Sequence, residues 1–258
     1  MGKQVRKQLI GISFLAVSFS AINAQAATVP FDINMTYSGI TTSQQVIFNQ
    51  AASYWEGVIS GYQGTTTPFS LNIAVGLMPT SDGEGGILGG GGPDTTGTIG
   101  SYTMALTGGM DYDSADMAQQ ETSGELYDTV RHEIAHVMGF GTLWGANGLY
   151  TDGSYQYTGA AGLAAYQAEF DPTAAFIPVE NDGGPGTADG HWEQDSGFLT
   201  ADLMVGTSTG ATNAPVSQAT LASFVDLGYT VTPVPLPAAA YLFGTGLLGL
   251  VGFRRRKS

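Results

Sequence analysis

The sequence predicts an α+β fold, and three observations support this prediction. Apolar residues recur at helical spacing along two segments, one from Ser43 to about Ser60 and one that ends near Met138. Apolar runs or apolar–polar alternation mark three strand candidates, at residues 31–37, 70–78 and 98–106. Glycine is abundant, at 38 of 258 residues. We therefore expect a sheet with two long helices, followed from about Gly145 by a looser, irregular part.

Polar and glycine residues predict where the two helices begin and end. Thr42 with Gln45, and Thr122 with Glu125, have the spacing of a capping box, which satisfies backbone N–H groups at a helix start. Gly139 follows the second segment, and glycine readily adopts the left-handed conformation that ends a helix. The second helix is therefore expected to stop just after Met138.

The stretch from Ser81 to Gly100 predicts a long loop, since it is rich in Gly, Asp and Thr and contains four consecutive glycines at 89–92. Three acidic residues follow it closely: Asp111, Asp113 and Asp116. Carboxylates so placed are compatible with a Ca²⁺ site, although the spacing lacks the full helix-loop-helix calcium pattern.

The second helical segment carries the motif His-Glu-x-x-His at residues 132–136. Positions four apart lie on the same face of a helix, so the imidazoles of His132 and His136 can bind one Zn²⁺ ion. Glu133 can reach a water held by that ion and act as a general base. The chain has only three histidines, and two of them are here. The alternative is a surface helix that carries two polar histidines.

A catalytic zinc ion takes three protein ligands and leaves one position open. His191 is the only other histidine in the chain, and we predict that it is the third ligand. Asp189 or Glu193 could instead supply a carboxylate, which would give a site with two histidines and one acidic residue.

The charge distribution excludes nucleic-acid partners. All 22 acidic residues lie within residues 27–232, where Arg131 is the only basic residue. Such a body is repelled by nucleic acid and by anionic membrane surfaces, whereas cations are tolerated or attracted. The absence of cysteine excludes disulfides and thiol chemistry.

Both ends of the chain predict export. Residues 1–26 have the pattern of a secretory signal peptide, with basic residues, an apolar run at 9–21 and the cleavage signal Ala24-Gln25-Ala26. Residues 233–258 read as a separate tail. Its apolar run at 236–253 is just long enough to span a membrane and precedes a cluster of four basic residues.

The residues around the histidines resemble the leishmanolysin-like branch of the metzincin zinc proteases. The resemblance rests on residues 132–141, on His191-Trp192-Glu193 and on Leu203-Met204. Most metzincins carry the third histidine six residues after the second, where this chain has Thr142. The leishmanolysin-like branch places it after a long insertion, as His191 would be.

This resemblance implies a metzincin-like catalytic domain over residues 27–232, with a mixed sheet, an active-site helix and an irregular C-terminal subdomain. It also implies that Met204 forms the methionine turn beneath the zinc ion. The substrate would be a protein or peptide. The zinc ligands would be His132, His136 and His191.

The tail resembles the PEP-CTERM sorting signal of Gram-negative bacteria, with Pro-Leu-Pro at residues 235–237 in place of Pro-Glu-Pro. The resemblance implies that residues 236–253 enter the inner membrane transiently. An exosortase-type sorting enzyme would then cleave the tail and pass the body to the cell surface or the exterior. A permanent membrane anchor is the alternative.

Together these features predict an exported zinc endopeptidase that uses a zinc-activated water with Glu133 as general base. The alternative is a non-catalytic extracellular matrix or surface-binding protein that keeps the same fold. The presence of Glu133 favours the enzyme, because a purely structural zinc site has no use for a general base.

Overall fold

The computed structural model describes residues 30–232, except 66, 68, 185, 198, 209 and 211. The predicted signal peptide at 1–26 and the predicted tail at 233–258 lie outside the described residues, so both stay predictions. Within the described part of the chain, no helix combines the length and the apolar character that a membrane crossing requires.

The described residues form five α-helices and eight strands, which confirms the α+β prediction. In chain order these elements are β1 (Ile33–Tyr37), α1 (Thr42–Val58), β2 (Ile59–Tyr62), β3 (Leu71–Leu77), β4 (Gly89–Ile99), β5 (Tyr102–Tyr112), α2 (Met117–Ser123), α3 (Leu126–Val137), β6 (Gln156–Tyr157), α4 (Ala160–Glu169), β7 (Ile177–Pro178), α5 (Gln218–Asp226) and β8 (Tyr229–Val231).

The main sheet is mixed, with the strand order β1-β3-β5-β4. The pairs β1–β3 and β3–β5 are parallel, whereas β4 runs antiparallel to β5. Parallel neighbours need a crossover connection, and α1 supplies the one between β1 and β3. This order leaves β4 at one edge of the sheet, and among the described residues its side away from β5 pairs with no other strand.

Helix α1 begins one residue earlier than the sequence predicts. The capping box is formed by Thr41 and Gln44, not by Thr42 and Gln45. Both pairs have the same spacing, and the extended backbone at Thr41 decides between them. The buried face of α1 ends in Trp55, whose indole N–H donates to the Arg131 carbonyl of α3 at 3.0 Å. This bond ties the two long helices together.

The second predicted capping box is wrong. The Thr122 hydroxyl donates to the Ala118 carbonyl within the short helix α2, so it cannot cap α3. Gly124, with φ +90°, ends α2, and α3 begins at Leu126 without a side-chain cap. The predicted end is confirmed: α3 stops at Val137 before Gly139, whose φ is +113°.

The predicted loop at residues 81–100 is wrong from residue 89 onward, where the glycine-rich stretch forms strand β4. Glycine weakens a strand, yet here it permits close approach between layers. A side chain at Gly91 would lie 2.7 Å from the Glu133 carbonyl of α3, and one at Gly89 would meet the Tyr112 ring. The glycines therefore let β4 lie directly against the helix that carries the histidines.

The predicted strand at residues 98–106 is also wrong, because it crosses a hairpin turn. Ile99 pairs with Tyr102, which leaves Gly100 and Ser101 as a two-residue loop between β4 and β5. The φ of Gly100 is +62°, as tight hairpin turns of this length require. The Gly-Ser pair was the signal for this turn.

The part from Gly145 onward is more regular than the sequence predicts. Helices α4 and α5 pack against each other there, and β8 pairs with β2. The Asp226 carboxylate at the end of α5 accepts from the backbone N–H groups of Ala161 and Gly162 at the start of α4. The irregular segment between β7 and α5 carries the third histidine, His191.

Replacing Gly108 with alanine should lower the free energy of unfolding by about 1–3 kcal/mol, because overpacking a close contact is destabilising. The new methyl would lie 2.7 Å from the Gly92 carbonyl and against Val137 of α3. The matched control is Gly90→Ala, which adds a methyl in open space and should change stability by less than about 1 kcal/mol. Urea denaturation measures both, and an equal loss in the two variants would contradict the packing described.

Candidate metal centre

The three histidines of the chain converge on one point. His132 and His136 lie one turn apart on α3, and His191 lies on the irregular segment between β7 and α5. Their Nε2 atoms form a nearly equilateral triangle, with separations of 2.9 Å between His132 and His136 and 3.0 Å from each to His191. Among the residues that the structure describes, this is the one group of His, Cys, Asp and Glu side chains whose ligand atoms converge to hold a metal ion.

Main-chain carbonyl groups fix the orientation of all three rings. The Nδ1 atoms of His132, His136 and His191 lie 2.7, 2.9 and 2.7 Å from the carbonyl oxygens of Leu203, Phe140 and Thr187. A carbonyl oxygen can only accept a hydrogen bond, so each Nδ1 carries the proton. In a neutral ring Nε2 then has a free lone pair, which points into the triangle.

Burial keeps the three rings uncharged. It lowers the pKa of His132 to about 3, moves the pKa of His136 well below its ordinary value and lowers the pKa of His191. Three neutral rings therefore face one another at neutral pH with lone pairs about 3 Å apart, and nothing donates between them. A cation held by the three Nε2 atoms would remove this repulsion, and neutral imidazole nitrogens are donors that suit Zn²⁺.

Two flanking segments hold His191 in place. The His191 carbonyl accepts from the Glu180 N–H at 2.9 Å, and the Trp192 N–H donates to the Met204 carbonyl at 3.0 Å. On the helix side, Gly141 has φ +70°, and a side chain there would lie 2.9 Å from the Gly190 Cα. A glycine after α3 therefore lets the His191 segment approach the other two histidines.

The two acidic alternatives for the third ligand have other partners. The Asp189 carboxylate accepts from the Tyr150 hydroxyl and from the Gly153 N–H. The Glu193 carboxylate accepts from the Asn181 amide and from the Asp195 N–H. Neither belongs to the group that converges with the histidines.

Glu133 lies in the same cleft and is only 7 % exposed. Burial raises the pKa of its carboxyl group to about 8, while a hydrogen bond from the Gly91 backbone N–H acts in the opposite direction. An adjacent cation would favour the carboxylate and lower this pKa. A metal ion at the histidines would therefore favour the ionised form of Glu133, which is the form that can accept a proton.

The segment around Met204 contacts the histidine site through its main-chain groups. Met204 is fully buried, and its neighbour Leu203 supplies the carbonyl that orients His132. The buried Asp202 carboxylate accepts from the Met204 N–H at 2.8 Å and from the Thr220 hydroxyl at 2.9 Å. Sequence reasoning missed the three orienting carbonyls, because main-chain acceptors leave no residue-type signal. It also missed Asp202, one of 22 acidic residues, since its partners Met204 and Thr220 are brought together only by the fold. The methionine-turn role of Met204 stays a prediction.

Two of the three acidic residues suggested for calcium, Asp113 and Asp116, hold a loop through hydrogen bonds. Asp113 accepts from the Ser81 hydroxyl and the Asp82 N–H, and these bonds lower its pKa to about 2. Asp116 accepts from the Gly85 N–H at 2.7 Å, while Asp111 is exposed on β5. In the described part of the chain these carboxylates do not converge as a metal-binding group.

The histidines open into a cleft of about 960 Å³. Its lining contains Glu133, the start of the edge strand β4 and the segments before His191 and after Met204. Arg131, the only basic residue in the described chain, is buried behind the cleft and paired with Asp128. The lining therefore offers no free basic group.

Comparison with known proteins identifies no family for this chain. No protein-family model matches it, and no curated protein matches its sequence significantly.

Removing the third imidazole should abolish tight metal binding. We expect His191→Ala to lower zinc affinity by at least about 100-fold, because two imidazoles leave the ion without its third protein ligand. Glu193→Gln is the control and should keep the affinity, since that carboxylate bonds elsewhere. Isothermal titration calorimetry and the metal content after dialysis measure the zinc affinity of both variants. If Glu193→Gln lost zinc while His191→Ala kept it, His191 would not be the third ligand.

Proposed function

We propose that the protein is a zinc-dependent endopeptidase of the metzincin type, similar to its leishmanolysin-like branch. The observation that carries the proposal is the triangle of Nε2 atoms, 2.9–3.0 Å apart, in an open cleft beside a buried carboxyl group. Three neutral nitrogen donors suit Zn²⁺, and three protein ligands leave a coordination position for substrate.

The residues of the chain would divide the chemistry between them. A bound zinc ion would polarise a water molecule and the scissile carbonyl group. Glu133 would accept a proton from the attacking water and deliver it to the leaving amine. Burial favours this role by making the carboxylate a stronger base, and the adjacent cation would keep that carboxylate ionised. The carbonyl groups of Leu203, Phe140 and Thr187 would keep the three imidazoles oriented throughout.

The edge strand β4 supports a peptide as the substrate. Its first residues, Gly89–Gly91, line the cleft beside Glu133, and the side of β4 away from β5 has no strand partner among the described residues. An extended peptide can add to such an edge through main-chain hydrogen bonds. The glycines would let its backbone approach closely.

The two ends of the sequence support export of this peptidase. The signal peptide at 1–26 and the PEP-CTERM-like tail at 233–258 would direct the protein through the inner membrane of a Gram-negative bacterium. An exosortase-type enzyme would release it to the surface or the exterior. The substrate would then be an extracellular protein or peptide.

A non-catalytic matrix or surface-binding role is the competing function. It shares the fold and the export signals but assigns no task to Glu133. The Glu133 side chain is only 7 % exposed and lies in the cleft of the histidines. Burying an acidic group without an ion pair costs stability, so a catalytic use for this group favours the enzyme.

Glu133→Gln should abolish peptide hydrolysis while zinc stays bound. Loss of a general base typically costs about 10²–10⁴ in kcat or more, and the amide is nearly isosteric with the carboxyl group. Casein cleavage and zinc content are measured on the full chain, with and without a chelator. Unchanged hydrolysis in the zinc-loaded variant would refute Glu133 as the base; no hydrolysis by the zinc-loaded wild type would refute the peptidase.

A further inference from the structure

An exposed isoleucine stands at the rim of the cleft that contains the histidines. The Ile87 side chain is 60 % exposed, although it lines the cleft together with Leu88 and Met78. Val46, at 53 % exposure, is comparably exposed but lies on α1, outside the cleft lining. Single exposed apolar side chains are ordinary on a protein surface, but Ile87 lines a cleft, where apolar side chains are the usual ligand contacts.

Backbone hydrogen bonds place Met78 and Leu88 on either side of one strand end. The Met78 N–H donates to the Tyr112 carbonyl at 2.9 Å, and the Asp113 N–H donates to the Leu88 carbonyl at 3.2 Å. The segments that carry Met78 and Leu88 therefore lie on either side of the end of β5. Ile87 precedes Leu88 and lines the same cleft with a more exposed side chain.

Carboxylates hold the loop that presents Ile87. Asp113 accepts from the Asp82 N–H at 2.8 Å, and Asp116 accepts from the Gly85 N–H at 2.7 Å. The Asp82 carboxylate in turn accepts from the Ile87 N–H at 3.2 Å. Because these bonds already fix the loop, little conformational freedom remains to be lost when a ligand contacts Ile87.

We propose that Ile87, Leu88 and Met78 form an apolar subsite that binds one large apolar side chain of the peptide substrate. The proposal rests on the proposed peptidase function. Its occupant follows from continuity, since the subsite opens into the cleft of the histidines and directly precedes Gly89–Gly91. A peptide paired with that edge would place alternate side chains toward the rim.

The test compares Ile87→Ser with Val46→Ser, its matched control on α1. The substrates are peptides that differ only in carrying Leu, Ala or Glu at one of the three positions on either side of the scissile bond. The wild type should prefer Leu over Ala at one position. Ile87→Ser should reduce that preference about tenfold, because the apolar contact is lost, whereas Ile87→Leu and Val46→Ser should keep it.

Two results would overturn the subsite: a Leu preference that Ile87→Ser leaves unchanged, or one that Val46→Ser reduces equally. If the wild type hydrolyses none of the peptides, the peptidase proposal fails separately. The subsite is then judged by calorimetry of the zinc-loaded protein with a leucine-containing and a glycine-containing tripeptide hydroxamate. Ile87→Ser should weaken binding of the leucine compound alone, about tenfold; equal affinity of wild type and variant for it would contradict the subsite.

Discussion

Three hydrogen bonds from imidazole Nδ1 atoms to main-chain carbonyl groups determine the chemistry of this cleft. Each bond places the proton on the outer nitrogen, so the inner nitrogens of His132, His136 and His191 present lone pairs to one another at 2.9–3.0 Å. Burial prevents the rings from relieving this repulsion by protonation, since it lowers all three pKa values. A cation held by the three nitrogens would relieve this repulsion, so metal binding would contribute to the stability of the folded chain.

The orienting carbonyls come from three separate parts of the chain, so the site depends on the whole C-terminal part being packed. Phe140 follows α3 directly, Leu203 lies next to the Asp202 carboxylate that bonds to α5, and Thr187 lies on the segment that leads to His191. Trp192, next to the third histidine, donates its indole N–H to the Thr220 hydroxyl at 2.8 Å, and that hydroxyl donates to Asp202. This buried chain of hydrogen bonds links α5 to both sides of the site.

Much of the site could be predicted from the sequence, because its signals are residue types at fixed spacing. The spacing of His132 and His136 implies a shared helix face, and the lack of any other histidine singled out His191. The strand β4 could not be recognised in this way: Gly91 fits a strand only because α3 lies against it, a tertiary contact that overrides glycine's low strand propensity. Main-chain acceptors such as the Leu203 carbonyl are likewise determined by packing, which no local pattern encodes.

The coordination of the bound ion tests the central claim most directly. X-ray absorption at the zinc edge, recorded on the zinc-loaded full chain, reports the number and type of ligands and their distances. Three imidazole nitrogens and one oxygen from solvent, at about 2.0–2.1 Å, are the predicted result. Two imidazoles only, or a shell made up mainly of oxygen ligands, would contradict the claim that the three histidines form one metal centre.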